Sequence, residues 1–499
     1  MKILLNFGSF SGYKINIQKS ECFPINPAAQ ELRQTDLNFH LASSGFRYLG
    51  VHITTSFKAL RTANFNPLLT YVRLAFQRWA NLPVSLLGRI NIIKMTILPK
   101  FLYLFQSIPL FLPKSFFKSV NRMFSSFIWA NKTPRISMTS LQQGKLSGGL
   151  VLPNLMFYYW AANIQKYTYW LNDPQAAWCC LEAQSCFSSS LSALLFSSLP
   201  VSLLQFTDNP VLIGSLKIWY QFRRHFNSVS ASALTPICNN HLFPPSLVDD
   251  SFCIWARKEF PSQPLKPWWE DLFQLKPHSK ALISQIYTLI MASGNYSTNK
   301  IASSWEQELG LQFVEGYWDK VIDKIHSSAS CARLSLIQFK TVYRLHFSRS
   351  RLSKIYPGIP DLCNRCNTSP CDLTHMFFAC PSLQLYWTFY FEVLSHVLSV
   401  TLKPCPLVAI FGVSEDATLN LSRKQLDIIA FTSLLARRRI LLSWKAPHPP
   451  ARSRWLEDVM FFLKLEKIKF RLRGNVNKFS QVWQPFIIYF NSLKTLTTD

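Results

Sequence analysis

From Leu37 to Asn172 the chain runs 136 consecutive residues without an Asp or Glu, while carrying 15 Lys and Arg. That absence takes carboxylate catalysis and hard-metal binding out of this stretch, because both need acidic oxygen ligands. Elements folded from it must present basic outer faces, and a surface of one sign suits a polyanion, most simply nucleic acid. The excess is chain-wide: 53 Lys and Arg against 26 Asp and Glu give a net charge of +27 over 499 residues. It is also uneven, at +14 for residues 1–182, +3 for 183–300 and +10 for 301–499. With 48% apolar and 14% aromatic residues, the chain has the side chains a core needs, which excludes general disorder. Its length suggests roughly three domains.

No span reads as a membrane helix. The longest uncharged stretch, from Ala183 to Thr207, holds eight Ser and Pro200, so the roughly 20 mostly apolar residues of a span are missing. The N-terminal MKILLNFGSFSGYK has one early Lys, a very short apolar run and no small-residue cleavage pattern, unlike a signal peptide. Twelve Cys are too sparse for a disulfide scaffold, and several cluster in one window, which suits a reducing compartment with one metal site. The expected location is intracellular, nucleus or cytoplasm, and not secreted.

Two short pieces alternate as strands do. Tyr13, Ile15 and Ile17 alternate with Lys14, Asn16 and Gln18, and FRYLGVHI from Phe46 to Ile53 alternates again with Gly50 as a bend or a close-approach point. Two strands alone are marginal. From Asn66 the period lengthens. Leu69, Val72, Phe76 and Trp79 predict one helix; Leu86, Ile90, Ile93 and Ile97 predict a second after Pro83, with Pro99 punctuating it; Phe116–Trp129 predicts a third. Arg89 and Lys94 lie between the apolar positions of the second. These three read as amphipathic helices with basic outer faces. A plain core stripe with solvated Lys and Arg is the competing reading, but a solvated face ordinarily mixes both signs. The Ser-rich middle third reads as a helical spacer without chemistry of its own.

The sharpest spacing is Cys363-x2-Cys366-x8-His375-x4-Cys380. Zinc favours four N/S ligands, and a C-x2-C turn presents two thiolates to one ion. A closed set of four has no position for a catalytic water, so the expected role is structural. Cys371 could replace one ligand, and buried thiols beside a core His are the alternative. Farther on, Arg437, Arg438 and Arg439 open a basic run that continues to Lys478 with Trp444 and Trp455 interleaved. Cations there can neutralise phosphates and rings can stack on bases, or the run is a solvated helix face over core aromatics. Asp249-Asp250 is the only adjacent Asp pair, and no third carboxylate is placed to complete a two-metal site. It reads as a surface or capping pair. No P-loop, G-x-S-x-G or H-E-x-x-H occurs.

Five separated blocks carry a resemblance. GSFSGYKINIQKSE, FRYLGVHI, LLGRINIIKMTILPKFLYLFQSIP, FIWANKTPRI with SGGLVLPNLMFYYWAAN, and SLIQFKTVYRLHFSRSRLSKIYP with the CNRC…HMFFAC window together resemble the reverse transcriptase of LINE-type non-LTR retrotransposons. The resemblance covers nearly the whole chain, most weakly in its middle third. It implies an α+β, mostly α fold with these parts: a partial palm over 1–57, a thumb-like helical domain over 58–182, a helical spacer over 183–300, a Cys-rich zinc-knuckle region over 301–400 and a basic helical segment over 401–499. It places Lys14 and Lys19 in a palm motif and Phe46, Tyr48, Leu49 and Gly50 in a primer-grip hairpin. Arg89, Asn91 and Lys94 fall in the thumb, and Cys363, Cys366, His375 and Cys380 in the Cys-rich region.

The family's endonuclease, fingers and catalytic Asp-Asp turn have no counterpart in this sequence, whose first residue aligns just past that turn. The resemblance therefore implies a C-terminal part that binds RNA and DNA template–primer, holds structural zinc and has no polymerase activity by itself; magnesium is expected only for a longer, catalytic form. The rival expectation is a non-catalytic domesticated or relic protein with a structural or interaction role.

Overall fold

The computed structural model describes residues 2–26, 29, 31–187, 191–196, 203–226, 268–294 and 296–495; Asp249 and Asp250 lie outside them. The described chain is mostly helical with two small two-stranded sheets, in keeping with the α+β, mostly α expectation. Among the described residues no helix is long and apolar enough to cross a membrane. The chain folds into two compact units, one of residues Met1–Leu82, Ile92–Ala130 and Pro153–Asn295, the other of Pro83–Asn91, Asn131–Leu152 and Tyr296–Asp499.

In the first unit, helix α1 (Lys2–Ser11) buries none of its residues. The strand expected through Tyr13, Ile15 and Ile17 does not form. Asn16 Oδ1 instead accepts from Lys19 N at 3.2 Å and caps a 3₁₀ turn over Ile17–Lys19. Alternation makes a strand only where a ladder receives it, and here a local Asx-type cap takes the backbone donor first. Among the described residues, the sheet in this neighbourhood is a two-residue parallel pairing, Glu21 with His40 and Cys22 with Leu41.

The run from Phe46 to Ile53 is a hairpin rather than one bent strand. Strand β1 (Gly45–Tyr48) pairs antiparallel with β2 (Val51–Thr54), Gly45 opposite Thr54 and Tyr48 opposite Val51. The two-residue turn places Leu49 at φ 46° and Gly50 at φ 85°, the positive-φ pair of a turn whose twist matches the strands. Helix α2 (Phe57–Ala80) holds the hairpin through buried Asn64. Its Oδ1 accepts from His52 N at 2.8 Å, and its Nδ2 donates to the carbonyls of His52 and Leu60, both at 2.8 Å.

The helix begins nine residues ahead of the expected start at Asn66. Its buried face, Phe65, Leu68, Val72, Ala75 and Phe76, keeps the three-to-four spacing of an amphipathic helix. Phe76 stacks on Phe127 at 4.3 Å between centroids, and each such ring contributes about 1.5–3 kcal/mol by leaving water. The second expected helix contains a π-helical turn over Ile93–Ile97 and continues as α3 (Leu98–Ser107). Pro99 does not end it, because it sits in the first turn of α3, where its missing N–H is not needed. Helix α4 (Lys114–Ile128) buries Phe117, Val120, Phe124 and Phe127 and exposes Lys114, Lys118 and Arg122.

Helix α5 (Leu155–Asn172) forms the centre of the unit, with α6 (Pro210–His225) and α7 (Leu282–Ala292) packed on it. Trp219 and Trp269, both within the stretch expected to be a spacer, are fully buried. The described parts of 203–294 therefore contribute to the core of this unit.

The second unit holds α8 (Asn299–Leu309), α9 (Tyr317–Ser327), α10 (Ala332–Val342), α11 (Arg349–Ile355), α12 (Gln384–Leu398), α13 (Pro406–Phe411), α14 (Arg423–Leu442), α15 (Arg452–Leu472) and α16 (Val476–Thr495). Helix α14 opens with a capping box between Ser422 and Gln425 and is buried almost throughout from Ile428 to Arg437. Trp455 joins α15 to this centre. Its indole N–H donates to Thr432 O at 3.1 Å, and its ring packs on Tyr390 and Phe486.

Candidate metal centre and basic groove

The Cys/His spacing closes into one cluster in the second unit. The ligand atoms of Cys363, Cys366, His375 and Cys380 all lie within 4.8 Å of one another, a group that can hold a metal ion. Asn367 at φ 57° turns the chain back, with Asn367 N donating to Cys363 O at 2.9 Å and Cys363 N to Thr368 O at 3.1 Å, so the two thiols of C-x2-C face the same way. A π-helical turn over His375–Ala379 then brings Cys380 under His375, its N–H donating to His375 O at 3.2 Å.

Cys363 Sγ and Cys380 Sγ are 3.8 Å apart, the edge of a tetrahedron with about 2.3 Å metal–sulfur bonds being about 3.8 Å. Cys366 Sγ and His375 Nε2 are 3.2 Å apart, a little inside the about 3.6 Å of the corresponding S–N edge. Cys371 is buried beside Cys363, but its thiol is not one of the converging four. Its backbone N–H donates to Asp361 Oδ1 at 2.9 Å.

The donor set fits a soft dication. Burial alone would push the Cys366 thiol up, but the hydroxyl and backbone of Thr368 and the neighbouring Cys380 and Cys363 sulfurs outweigh it and bring it down to about 6. Burial, then the contact with Cys366, pushes the Cys380 thiol the other way. One sulfur is thus ready as thiolate, while the other needs a cation beside it to ionise.

Residues that are not ligands fasten the cluster. Arg365 Nη2 donates to the carbonyls of Ile440 and Ser443, each at 3.2 Å, placing a cation on the carbonyl end of α14, where the helix dipole favours it. Asn364 Nδ2 donates to Lys445 O at 3.3 Å. On the other side Glu308, ion-paired with Arg344, accepts from Thr374 N at 2.8 Å and Thr374 Oγ1 at 3.0 Å. Trp387 donates to Phe377 O at 2.9 Å from a fully buried ring.

The first unit carries a groove of about 830 Å³ between the hairpin and helices α2 and α3. Arg47 and His52 face each other across the two strands. Lys100 Nζ sits 4.5 Å from the centre of the Tyr71 ring, and the Tyr103 hydroxyl donates to Leu49 O. Among the described residues no carboxylate lines it. Of the residues expected at a nucleic-acid surface, Tyr48 and Leu49 are exposed at the hairpin tip and Gly50 lines the groove, 3.6 Å from Tyr103 for a Cβ placed there. Phe46 is half-buried against Phe23 at 5.0 Å between centroids. Lys14, Lys19 and Asn91 are exposed, and Lys94 is half-buried in the π-helical turn.

Four expected arginines have surroundings other than an open phosphate-facing surface. Arg89 is buried and its Nε donates to Val84 O at 3.3 Å, which takes it out of reach of a phosphate. Arg437 is fully buried. Arg438 and Arg439 both ion-pair with Asp458, so the acid one helix away already occupies them. Arg47, Tyr71, Lys100 and Tyr103 went unnoticed in the sequence; the outward phase of the FRYLGVHI alternation points to Arg47, whereas no local signal unites it with residues of two other helices. No protein-family model matches the chain.

Proposed function

We propose that the chain binds nucleic acid through the basic groove of its first unit, and that it corresponds to the C-terminal, non-catalytic part of a LINE-type reverse transcriptase. The groove carries this reading: cations from a hairpin and a helix, two tyrosine rings and no carboxylate, in the stretch of sequence free of acids. Cations of this kind bind phosphates without reading bases, so RNA and DNA bind with little sequence preference. In the second unit the metal is zinc. Four N/S ligands with two of them deeply buried make a closed, structural site that Cys363, Cys366, His375 and Cys380 would hold and that fixes the knuckle to α14.

Fluorescence anisotropy tests the binding. With about two to four phosphates neutralised, affinity for a duplex falls roughly ten- to hundredfold between roughly 50 and 200 mM salt. Arg47→Ala and Lys100→Ala each reduce the salt slope by about one, uniformly across sequences. Affinity that does not change with salt rejects the reading. Primer extension on a poly-A template is the companion assay, and the expected result is none; extension by the pure chain would overturn the non-catalytic assignment.

One observation favours a structural or interaction role for the C-terminal basic run itself. Arg438 and Arg439 pair with Asp458 on the next helix, so these two cations hold helices together, and Arg437 is enclosed. On that narrower reading, substitution of Arg438 leaves nucleic-acid affinity unchanged while lowering stability.

A further inference from the structure

The second unit contains a smaller cationic cavity of about 320 Å³ that the groove and the metal centre do not use. Arg135, Lys340 and His346 line it together with the rings of Phe347 and Trp444. Met376, next in the chain to a metal-cluster residue, forms part of its apolar wall, and among the described residues no carboxylate lines it. The Arg135 guanidinium lies over Phe347, 4.3 Å from the ring centre, and its Nη1 is buried without a hydrogen-bond partner. Arg351 approaches the same ring at 5.7 Å, with Nη1 donating to Arg344 O at 2.8 Å.

The cations crowd one another. Burial, then Arg351, lowers the Arg135 pKa, and burial, then Arg135, lowers that of Lys340. Burial holds His346 down at about 3, which leaves it neutral. Like charges gathered without an acid, one of them with an unused buried donor, form a site completed by an anion. Phe347 is covered by arginine; Trp444 is a half-buried ring on the cavity wall, with Lys445 Nζ 5.8 Å from its centre. The volume lies at the small end of ligand pockets.

We propose that this cavity takes a phosphate of single-stranded nucleic acid between Arg135 and Lys340, with the adjoining base stacked on Trp444. It rests on the nucleic-acid reading above and adds a second contact that distinguishes single strands from duplex, since a paired base has no free face to offer an isolated ring.

The test uses the full chain, with a labelled 5′-phosphorylated single strand and a duplex of the same length titrated against wild type, Arg135→Gln and Trp444→Leu, each checked for unchanged metal content. Both variants are expected to lose about tenfold in single-strand affinity, the measure of one stacked base, and to keep wild-type duplex affinity. Variants that bind the single strand as wild type does, with duplex binding intact, overturn the cavity assignment and leave the groove standing. If wild type binds neither polymer, the groove reading fails, and titration with adenosine monophosphate decides the cavity. Saturable binding lost in Arg135→Gln would assign it to free nucleotides, overturning the single-strand source, and no binding would remove the site altogether.

Discussion

If the cluster holds zinc as proposed, Cys380→Ser is expected to abolish its binding and to lower the melting temperature of the second unit by roughly 6–24 °C. The Cys380 sulfur is 1% exposed as a residue and 3.8 Å from that of Cys363, so a hydroxyl there can neither ligate the ion nor be solvated in its place. Structural zinc contributes about 10–16 kcal/mol to small finger peptides. This unit also has a helical core around α14 and Trp455, which survives in part, so we expect a loss of about 3–6 kcal/mol, at roughly 2–4 °C per kcal/mol for a unit of this size. Elemental analysis of the purified chain and a thermal unfolding scan check both halves. Cys371→Ser is the control: its thiol stands outside the four, and the metal remains. A Cys380→Ser protein with full metal and an unchanged transition rejects the site.

Arg437→Met is expected to stabilise the protein at neutral pH by about 2 kcal/mol, read as a higher denaturant midpoint. Arg437 is fully buried, its Nε donates to Ser433 O at 3.3 Å, and Nη1 and Nη2 have no hydrogen-bond partner. A buried cation in that condition costs more than it returns, and well-packed apolar replacements of buried charges are commonly neutral or stabilising by about 1–4 kcal/mol. Burial pulls its pKa well below the ordinary arginine value, down to about 9, with the Tyr390 and Tyr317 hydroxyls opposing the shift. The folded state therefore binds fewer protons than the unfolded one above about 9, and stability rises with pH from there until the arginine of the unfolded chain also loses its proton. Below the folded-state value the penalty is present in full. The advantage of Met should accordingly be largest at neutral pH and shrink as pH rises above about 9. A Met variant less stable than wild type at pH 7 would show that the guanidinium contributes more through its contacts than burial costs.

Local features were legible in the sequence and composite ones were not. The metal ligands lie within 18 residues of chain, so their spacing alone announces a cluster, and the structure closes it on the same four residues. The helical phase of Val72 and Phe76 was equally readable, because a buried stripe repeats within one element. The alternation at Ile15 misled, since pattern does not reveal whether a partner strand exists. Arg437 could not be told from Arg438 and Arg439 by composition, although its phase three residues after Leu434 and three before Ile440, both buried, points inward. The groove and the smaller cavity draw cations from positions 47 and 100, and from 135 and 340. Nothing local couples such distant residues. Trp219 and Trp269 were overlooked for another reason: a Ser-rich, low-charge neighbourhood resembles a linker, while its sparse large rings specify a core.

The fastening of the metal cluster limits how far it can be treated as a module. A graft of residues 360–384 into a foreign scaffold would carry all four candidate ligands, but none of the posts to which they are tied. Arg365 would lose the carbonyls of Ile440 and Ser443, Asn364 that of Lys445, and Thr374 the carboxylate of Glu308. Such a transplant would capture metal and point in no defined direction. Orientation here belongs to the recipient: a host must offer the open carbonyl end of a helix on one side and an acid on the other before the inserted loop acquires a posture.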